Sequence, residues 1–152
     1  MILSDEAATA RLGAAIARGL KPGEAVCLSG PLGAGKSTLA RALIRALTTP
    51  GEEVPSPTFT LVQFYEGPRL KIAHFDLYRL SNPDEAYELG LDEALDDGAA
   101  VIEWPERLQG RLAPDRLDIE ITPIEGPGDG AGRSARLTPH GSWVGRVEGM
   151  AA

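Results

Sequence analysis

The sequence predicts an α/β fold in which helices pack on both faces of a mixed parallel and antiparallel sheet. A short apolar run at residues 25–29, "AVCLS", enters a glycine-rich turn that a helical pattern follows, which is the order found in parallel sheets. Two further pairs of strand-like segments predict antiparallel hairpins. The chain of 152 residues, 43% of them hydrophobic, has the size of one domain with a sizeable core. We therefore expect a three-layer arrangement in a single domain, residues 1–152.

Three segments carry helical patterns. The first runs from Ser4, a candidate N-cap, to Leu20 and has acidic residues in its first turn. The second, residues 37–48, repeats leucine at helical spacing. The third begins at the dipeptide Asn82-Pro83, with Asn82 as N-cap and Pro83 as the first helical residue, and a further short helix follows it.

Strand patterns account for most of the remaining chain. Residues 58–66 and 69–80 flank a Gly-Pro turn, which predicts a hairpin. The apolar run at residues 99–104 predicts a buried strand. The segment 116–138 alternates apolar and polar residues on either side of a loop, which predicts a second hairpin near the end of the chain.

Three segments lack a regular pattern. The proline-rich stretch at residues 48–58 predicts a surface loop, since proline holds the backbone extended or turned. The stretch "EGPGDGAG" at residues 125–132 predicts a flexible loop. We expect the residues after about 140 to form a loosely ordered tail of the domain.

Composition and charge restrict the function. Lys and Arg number 15 against 22 Asp and Glu, which gives a net charge of -7, so no broad basic surface for nucleic acid is expected and any link to RNA runs through partners. The single cysteine, Cys27, lies in an apolar run and is interpreted as a core residue. The acidic N-terminus carries no signal pattern and no apolar run reaches membrane-spanning length. We expect a soluble cytoplasmic protein with no membrane partner.

The segment "GPLGAGKS" at residues 30–37 fits the P-loop pattern G-x-x-x-x-G-K-[ST]. Gly33 and Gly35 remove side chains so that backbone N–H groups can surround phosphates at a helix N-terminus. Lys36 would reach the β- and γ-phosphates, and the Ser37 hydroxyl would bind Mg²⁺. A dinucleotide fingerprint is excluded, because no third glycine follows at the required spacing. The motif predicts a nucleotide site.

Two acids are candidates for holding Mg²⁺ or its water opposite the P-loop. Strand alternation places Asp76 on the same face as His74 near a strand end, and Glu103 closes the apolar run at residues 99–104. Ligands bind at the carboxyl ends of parallel strands, so both acids are well located. The residues alone leave the choice between them open. His74 by itself is more often structural than catalytic.

Other candidate residues have two interpretations each. Thr58 is either a switch-type threonine that senses the γ-phosphate and the metal, or an ordinary strand threonine. Arg79 could stabilise transferring charge, although a salt bridge is the default. Trp104, on the opposite strand face from Glu103, is interpreted as core. No N-K-x-D motif for reading guanine is present, which favours adenine.

Four motifs stand in the chain in the order "GPLGAGKST", "SPTFTLV", "HFDLYRL" and "IEWPE". Together they resemble the TsaE family, also known as YjeE, which comprises the small P-loop ATPases of bacterial tRNA threonylcarbamoyladenosine synthesis. The resemblance covers roughly Leu3 to Leu137, and the second to fourth motifs are far more specific than the P-loop. It implies a three-layer P-loop NTPase fold with a mixed sheet.

The resemblance also implies an activity and partners. Members of the family hydrolyse ATP feebly alone and work with the TsaB and TsaD proteins, which place a threonylcarbamoyl group on N6 of adenosine 37 in tRNAs that read ANN codons. The implied cofactors are ATP or ADP and Mg²⁺, and tRNA is reached only through the partners. Hydrolysis is then expected to reset the partner complex through the loop from Pro55 to Thr58.

The same resemblance assigns roles to residues. Mg²⁺ lies between Ser37 and Glu103, and Asp76 is the family's other essential acid, suited to orienting water or the metal shell. Thr58 falls on the switch-like segment, and Glu6 lies near the nucleotide base. The phosphates bind along Gly33, Ala34, Gly35, Lys36, Ser37 and Thr38. The predicted catalytic residues are Lys36, Thr58, Asp76 and Glu103.

Two other functions remain as alternatives. A small-molecule P-loop kinase would transfer the γ-phosphate to an acceptor, although the chain lacks an obvious lid or acceptor-binding insertion. A non-catalytic assembly factor would bind ATP and join the partner complex without needing hydrolysis. Both alternatives share the P-loop prediction, and they differ in what becomes of the γ-phosphate.

Overall fold

The computed structural model describes residues 1–124, 132–148 and 150. Seven strands belong to one sheet, and they are β1 Ile2–Leu3, β2 Ala25–Ser29, β3 Val62–Glu66, β4 Lys71–Asp76, β5 Ala99–Glu103, β6 Arg116–Pro123 and β7 Arg133–His140. The α-helices are α1 Glu6–Gly19, α2 Lys36–Leu47, α3 Asp84–Glu88 and α4 Leu91–Asp97. Short 3₁₀ turns follow two strands, at Pro105–Leu108 and Gly141–Trp143. In these ranges no helix combines the length and the apolar character that crossing a membrane requires.

The sheet is mixed, as the sequence predicts. Its strand order is β1-β7-β6-β2-β5-β4-β3. Strand β2 pairs in parallel with β5 and β6, and β5 also pairs in parallel with β4. Strands β3, β7 and β1 are antiparallel additions. The two predicted hairpins correspond to β3–β4 and β6–β7, so the predicted α/β class with a mixed sheet is confirmed.

Two layers of helices cover the two faces of the sheet. On one face, α1 and α2 bury Ile16 and Leu43 against Val26, within one hydrophobic cluster. On the other face, Phe75 and Ile102 pack with residues of α3 and α4 in a second cluster. Because β2 and β5 are covered on both sides, each is a continuous apolar run rather than an alternating one.

The structure corrects the predicted helix starts. The N-cap of α1 is Asp5 and not Ser4, because the Asp5 carboxylate accepts a hydrogen bond of 2.8 Å from the N–H of Ala8. The N-cap position of α3 is Pro83 and not Asn82, one residue later than predicted. The Glu85 carboxylate accepts hydrogen bonds from the backbone before this helix, so a helical side chain caps the turn that precedes it.

The predicted strand at residues 58–66 is shorter than expected. It begins at Val62, because Leu61 has a φ of 67° and its N–H donates to the carbonyl of Pro57 at 2.8 Å. Thr58 therefore lies in a loop, and its interpretation as a strand threonine is wrong. The following strand likewise ends at Asp76, after which the chain turns. The short first strand, β1, was not predicted.

The chain after residue 140 differs from the expected loosely ordered tail. Trp143 is fully buried, and the Arg146 guanidinium lies 4.1 Å from its ring centroid. Arg146 also donates to the Glu24 carboxylate at 2.5 Å and to the carbonyl of Gly19. A buried carboxylate requires a cation or hydrogen-bond donors, and this tail supplies both. The predicted flexible loop lies outside the described residues over positions 125–131.

Glu24 gives a pH-dependent contribution to stability. It is 3% exposed and accepts hydrogen bonds from Arg146, the Ser142 hydroxyl and the Lys21 N–H. Burial raises the pKa of Glu24, but these hydrogen bonds outweigh burial and hold its pKa below the ordinary value of 4.5. An acid whose pKa is lower in the folded state than in the unfolded state stabilises the fold fully at pH values above its unfolded-state pKa. This stabilisation is lost as the pH falls through its folded-state pKa.

We expect Glu24→Gln to lower the free energy of unfolding at pH 7 by on the order of 1–3 kcal/mol. The difference from wild type should shrink as the pH is lowered from about 5 to 3, because the wild-type carboxyl becomes protonated. Urea unfolding at several pH values measures this. Glu120→Gln, at an exposed position of β6, is the matched control and should leave stability nearly unchanged. A difference that stays constant with pH would contradict the assignment.

Candidate functional site

The loop between β2 and α2 depends on glycine. Gly30, Gly33 and Gly35 have φ values of 138°, 78° and 105°, a backbone region that other residues rarely adopt. Gly35 is the N-cap of α2, so the N–H groups of the first helical turn face the loop. The "GPLGAGKS" segment therefore forms a glycine-dependent loop at a helix N-terminus, which is the kind of geometry that can bind an anion.

Lys36 extends back along this loop. Its ammonium donates hydrogen bonds to the carbonyls of Gly30 at 2.5 Å and Pro31 at 3.0 Å, and it lies 4.2 Å from the ring centroid of Trp104. The residue is 5% exposed. Burial lowers the pKa of Lys36, while the nearby carboxylates, Glu103 foremost, act in the opposite direction. The cation is thus held in place without a direct ion pair among the described residues.

Ser37 and Glu103 meet directly across the sheet edge. The Ser37 hydroxyl donates a hydrogen bond of 3.1 Å to Oε1 of Glu103. The other carboxylate oxygen, Oε2, lies 2.6 Å from Nε2 of His74. Glu103 is 2% exposed and His74 is 1% exposed. Each oxygen of the buried carboxylate therefore has its own partner, and the oxygen facing the P-loop points at the helix N-terminus.

Asp76 stands beside this pair. It is the last residue of β4 and lies opposite Glu103 in the parallel register. Its Oδ1 accepts a hydrogen bond of 3.1 Å from the N–H of Tyr78. Burial raises the pKa of Asp76, and the neighbouring Glu103 raises it further, against the hydrogen bond from Tyr78. Glu103, and not Asp76, is thus the acid that contacts Ser37.

These residues line a cavity of about 280 Å³ at the end of the sheet. Its wall also includes Thr58, whose hydroxyl lies 2.9 Å from that of Ser56. The predicted residues that line it are Gly33, Gly35, Lys36, Ser37, Thr38, Thr58, Asp76 and Glu103. Five separate segments of sequence therefore converge on one cavity, counting Trp104 with Glu103 and including Arg133.

Two predicted residues are placed differently. The side chain of Ala34 is 1% exposed and packs in the core, so only its backbone can face a ligand. Glu6 lines a neighbouring groove of about 360 Å³ between α1 and α2, together with Arg41. Thr38 borders both the groove and the cavity beside the P-loop, so the two are adjacent.

Sequence reasoning missed one residue of the site, Arg133, and interpreted another, Trp104, only as a core residue. Trp104 adopts the left-handed region with a φ of 61°, and its ring lies over Lys36 while the partly buried side chain also packs against the second hydrophobic cluster. Arg133, from β7, also lines the cavity. Arg79 lies 4.8 Å from the ring of Phe59 rather than in a salt bridge within the described residues. The available signal for Trp104 was its position at a strand end directly before a proline. No local pattern marked Arg133.

The residues fit a magnesium nucleotide. Among the described residues, no group of three or more His, Cys, Asp or Glu side chains is arranged to hold a metal by itself. Mg²⁺ does not require such a cage, since it keeps several waters and takes one or two protein oxygens together with phosphate oxygens. The Ser37 hydroxyl and the Glu103 carboxylate, 3.1 Å apart, supply that kind of donor set beside an open phosphate turn.

Comparison with known proteins identifies the family. The family described as "Threonylcarbamoyl adenosine biosynthesis protein TsaE" matches residues 3–129. The chain belongs to the TsaE family. A TsaE from Aquifex aeolicus is 44% identical over 122 residues, covering 80% of this chain and 86% of the relative. A TsaE from Rickettsia felis is 38% identical over 125 residues, covering 82% of this chain and 73% of the relative. Both are named tRNA threonylcarbamoyladenosine biosynthesis proteins.

The TsaE fold is also found in a solved structure. A crystal structure of YdiB from Bacillus subtilis matches with a TM-score of 0.75 at 27% identity, covering 99% of this chain and 89% of that chain. The resemblance to the TsaE family that the four sequence motifs indicate is therefore confirmed.

The glycines of this TsaE P-loop differ in what surrounds them. A Cβ on Gly30 would lie 2.2 Å from the carbonyl oxygen of Ile121, whereas a Cβ on Gly33 would meet nothing within 4 Å. We expect Gly30→Ala to lower the free energy of unfolding by about 2–4 kcal/mol, from overpacking and backbone strain together. Gly33→Ala, the control, should cost only about 1 kcal/mol, from strain alone. Urea unfolding measures both, and equal losses would contradict this account.

Proposed function

We propose that this chain is the ATP-binding and ATP-hydrolysing component of the tRNA N6-threonylcarbamoyladenosine machinery. The observation that carries the proposal is the contact between Ser37 and Glu103, which sets a hydroxyl and a carboxylate at 3.1 Å beside the P-loop of a TsaE-family chain. A structural acid would not need to face the phosphate turn. The reaction is a slow MgATP hydrolysis that partners accelerate.

The P-loop and Lys36 bind the phosphates. Backbone N–H groups from Gly33 onward surround the β-phosphate, and the positive end of α2 favours its charge. Lys36 exchanges its hydrogen bonds to two carbonyls for the β- and γ-phosphate oxygens. The ring of Trp104 keeps this ammonium from water and holds it over the loop.

Ser37 and Glu103 would hold Mg²⁺ between them. When bound, the ion offsets the charge that develops on the phosphate oxygens. Nε2 of His74 forms a hydrogen bond of 2.6 Å with Oε2 of Glu103 and so keeps Oε1 facing the P-loop. Asp76 positions the attacking water and accepts its proton, because its raised pKa makes it a stronger base than an exposed aspartate.

Adenine binds in the groove next to this site, and the partner proteins respond to the loop that borders it. Glu6 lies near the base, in the groove that Thr38 shares with the phosphate cavity. The loop that carries Thr58 senses the γ-phosphate and transmits hydrolysis to TsaB and TsaD, whose complex is thereby reset. With a net charge of -7, the chain reaches tRNA only indirectly, in the cytoplasm.

Hydrolysis by the wild type and by Lys36→Ala, Asp76→Asn and Glu103→Gln tests the activity. We expect TsaB and TsaD to raise the wild-type rate, and each variant to lose roughly 10²-fold or more of it, since each loses a group that acts on the reacting phosphate or the water. Release of free phosphate is the measurement. Asp92→Asn, at an exposed position of α4, is the matched control and should keep wild-type activity.

Three outcomes would overturn parts of the proposal. If the partners leave wild-type hydrolysis unchanged, their coupling to this site is wrong. Labelled phosphate that appears on a metabolite instead of in free phosphate would indicate a small-molecule kinase. A Glu103→Gln variant that supports tRNA modification as well as wild type would indicate a non-catalytic assembly factor.

Binding of ADP with and without Mg²⁺ separates the two acids. We expect Mg²⁺ to tighten ADP binding by wild type, and Ser37→Ala and Glu103→Gln to abolish most of that gain, because they remove the metal's protein ligands. Asp76→Asn should retain it, since Asp76 does not contact Ser37. Titration calorimetry measures the affinity of each of the four proteins for ADP with and without Mg²⁺. If Asp76→Asn loses the gain and Glu103→Gln keeps it, the assignment of the two acids is reversed.

A further inference from the structure

A groove of about 290 Å³ lies between the edge strand β3 and the helix α4. Strands β4 and β5 contribute their first residues to it, whereas their last residues, Asp76 and Glu103, line the cavity beside the P-loop. The two cavities share no lining residue and lie at opposite ends of these strands. The residues that define this β3 groove are Phe64, Glu66, Lys71, Glu93, Ala94 and Asp97.

Phe64 gives the β3 groove an exposed aromatic ring. It pairs in register with Ala73, which is buried in the second hydrophobic cluster, so both side chains lie on that face of the sheet. Val62, on the same face, packs against the cluster, but Phe64 is 63% exposed. The helix α4 packs mainly on β5 and β4, and its Ala94 lines the groove. An apolar surface is therefore left beside β3 on this face.

The backbone of β3 also has hydrogen-bonding groups on its open side. Backbone bonds close both ends of the β3–β4 ladder, between Gly67 and Leu70 and between Leu61 and Asp76. Bonded and non-bonded pairs alternate along an antiparallel ladder, so every second residue of β3 bonds to β4. The three that do not are Val62, Phe64 and Glu66. Their N–H and C=O groups point away from β4, and β3 is the last strand of the sheet in the described part of the chain.

The two edges of the sheet differ in how they are protected. At the far edge, β1 has only two residues, and β7 beside it contains Pro139. Very short edge strands and prolines are common means of preventing a further strand from pairing. Strand β3 has five residues, with no proline and no lysine among them. An unprotected edge next to an apolar groove is the geometry that accepts an added strand.

The charges around the β3 groove restrict what can bind there. Glu66, Glu93 and Asp97 line it together with one cation, Lys71, which is paired with Asp97 at 2.9 Å. In residues 1–124, 132–148 and 150, no basic side chain lies within ion-pair distance of Glu66 or Glu93. A second copy of the chain would bring the same carboxylates and a net charge of -7, so like charges would face each other. A basic segment is complementary instead.

We propose that the β3 groove binds an extended segment of another protein, which pairs antiparallel with β3 and places an apolar residue between two basic ones. The apolar residue lies opposite Phe64, exchanges both backbone hydrogen bonds with it and fills the groove. The basic side chains face Glu66 and Glu93. Side chains on one face of a strand are two residues apart, so the motif is basic-x-apolar-x-basic. Antiparallel pairing is the more stable arrangement per residue.

Binding of the blocked peptide KTVTK tests the proposal. We expect it to shift the amide signals of Val62, Phe64 and Glu66 in ¹⁵N–¹H NMR spectra of the full chain. The matched peptides ETVTE and KTSTK should bind roughly 10-fold more weakly or worse, because they lose the opposite charges and the apolar contact. KTVTK with an N-methylated valine keeps the charges but lacks the N–H that bonds to Phe64, and it should also bind roughly 10-fold more weakly.

Protein variants locate the binding surface. We expect Phe64→Ser and the double variant Glu66→Gln with Glu93→Gln each to weaken binding of KTVTK roughly 10-fold, since they remove the apolar wall and the unpaired carboxylates. Phe59→Ser is the matched control, because Phe59 is 82% exposed and lies outside the groove, and it should bind the peptide like wild type. Circular dichroism checks that each variant is folded, and the double variant provides the comparison if Phe64→Ser is not.

Three results would overturn the proposal. ETVTE binding as well as KTVTK would exclude the role of the carboxylates. Equal binding of the N-methylated peptide would show attraction between charges without strand pairing. Signals of β3 that shift with protein concentration in the absence of peptide would indicate that a second copy occupies this edge. None of these measurements requires a nucleotide, so their failure leaves the proposed function as it stands.

Discussion

The buried carboxylate of Glu103 is the constraint on which the rest of the site depends. A charge that is 2% exposed at the end of an apolar strand is costly unless both oxygens are satisfied. Ser37 satisfies one oxygen from the P-loop side, and His74 satisfies the other from β4. Because β5 lies between β2 and β4, this strand order brings both partners within reach. The order of the strands in the sheet therefore positions the site.

The antiparallel strands bring residues to the site in a different way from the parallel strands. Parallel strands end at one edge of the sheet and so gather the phosphate turn and the acids there. Strand β7, which runs antiparallel to β6, begins at that same edge and brings Arg133 to it. An antiparallel strand thus contributes its first residue to this edge of the sheet, whereas a parallel strand contributes its last.

Local patterns explain why much of this site could be predicted from sequence. The P-loop requires glycines with positive φ, and strand alternation puts His74 and Asp76 on one face. What could not be predicted depends on distant contacts. Trp104 reaches Lys36 from the edge of the core because its backbone is left-handed, and Arg133 reaches the cavity through the pairing of β6 with β7. Neither the φ value of Trp104 nor the register between β6 and β7 can be read from the spacing of residue types in the sequence.

The same distinction applies to the fold. The hairpins and the central strands follow from period-two and apolar-run patterns, whereas the bounds of β3 depend on the tight turn at Leu61. The short strand β1 has too few residues for any period, and it exists because β7 offers it a partner.

The salt bridge between Arg146 and Glu24 shows that residues beyond the last strand are part of the folded domain. Glu24 immediately precedes β2, the strand that delivers the P-loop, and its counter-charge arrives 122 residues later in the chain. A chain shortened after β7 would keep all seven strands, yet its central strand would start from a buried carboxylate without a cation. The entry to the P-loop is thus secured by residues that do not line the cavity beside it, and a nascent chain completes that anchor only after Arg146 has been synthesised.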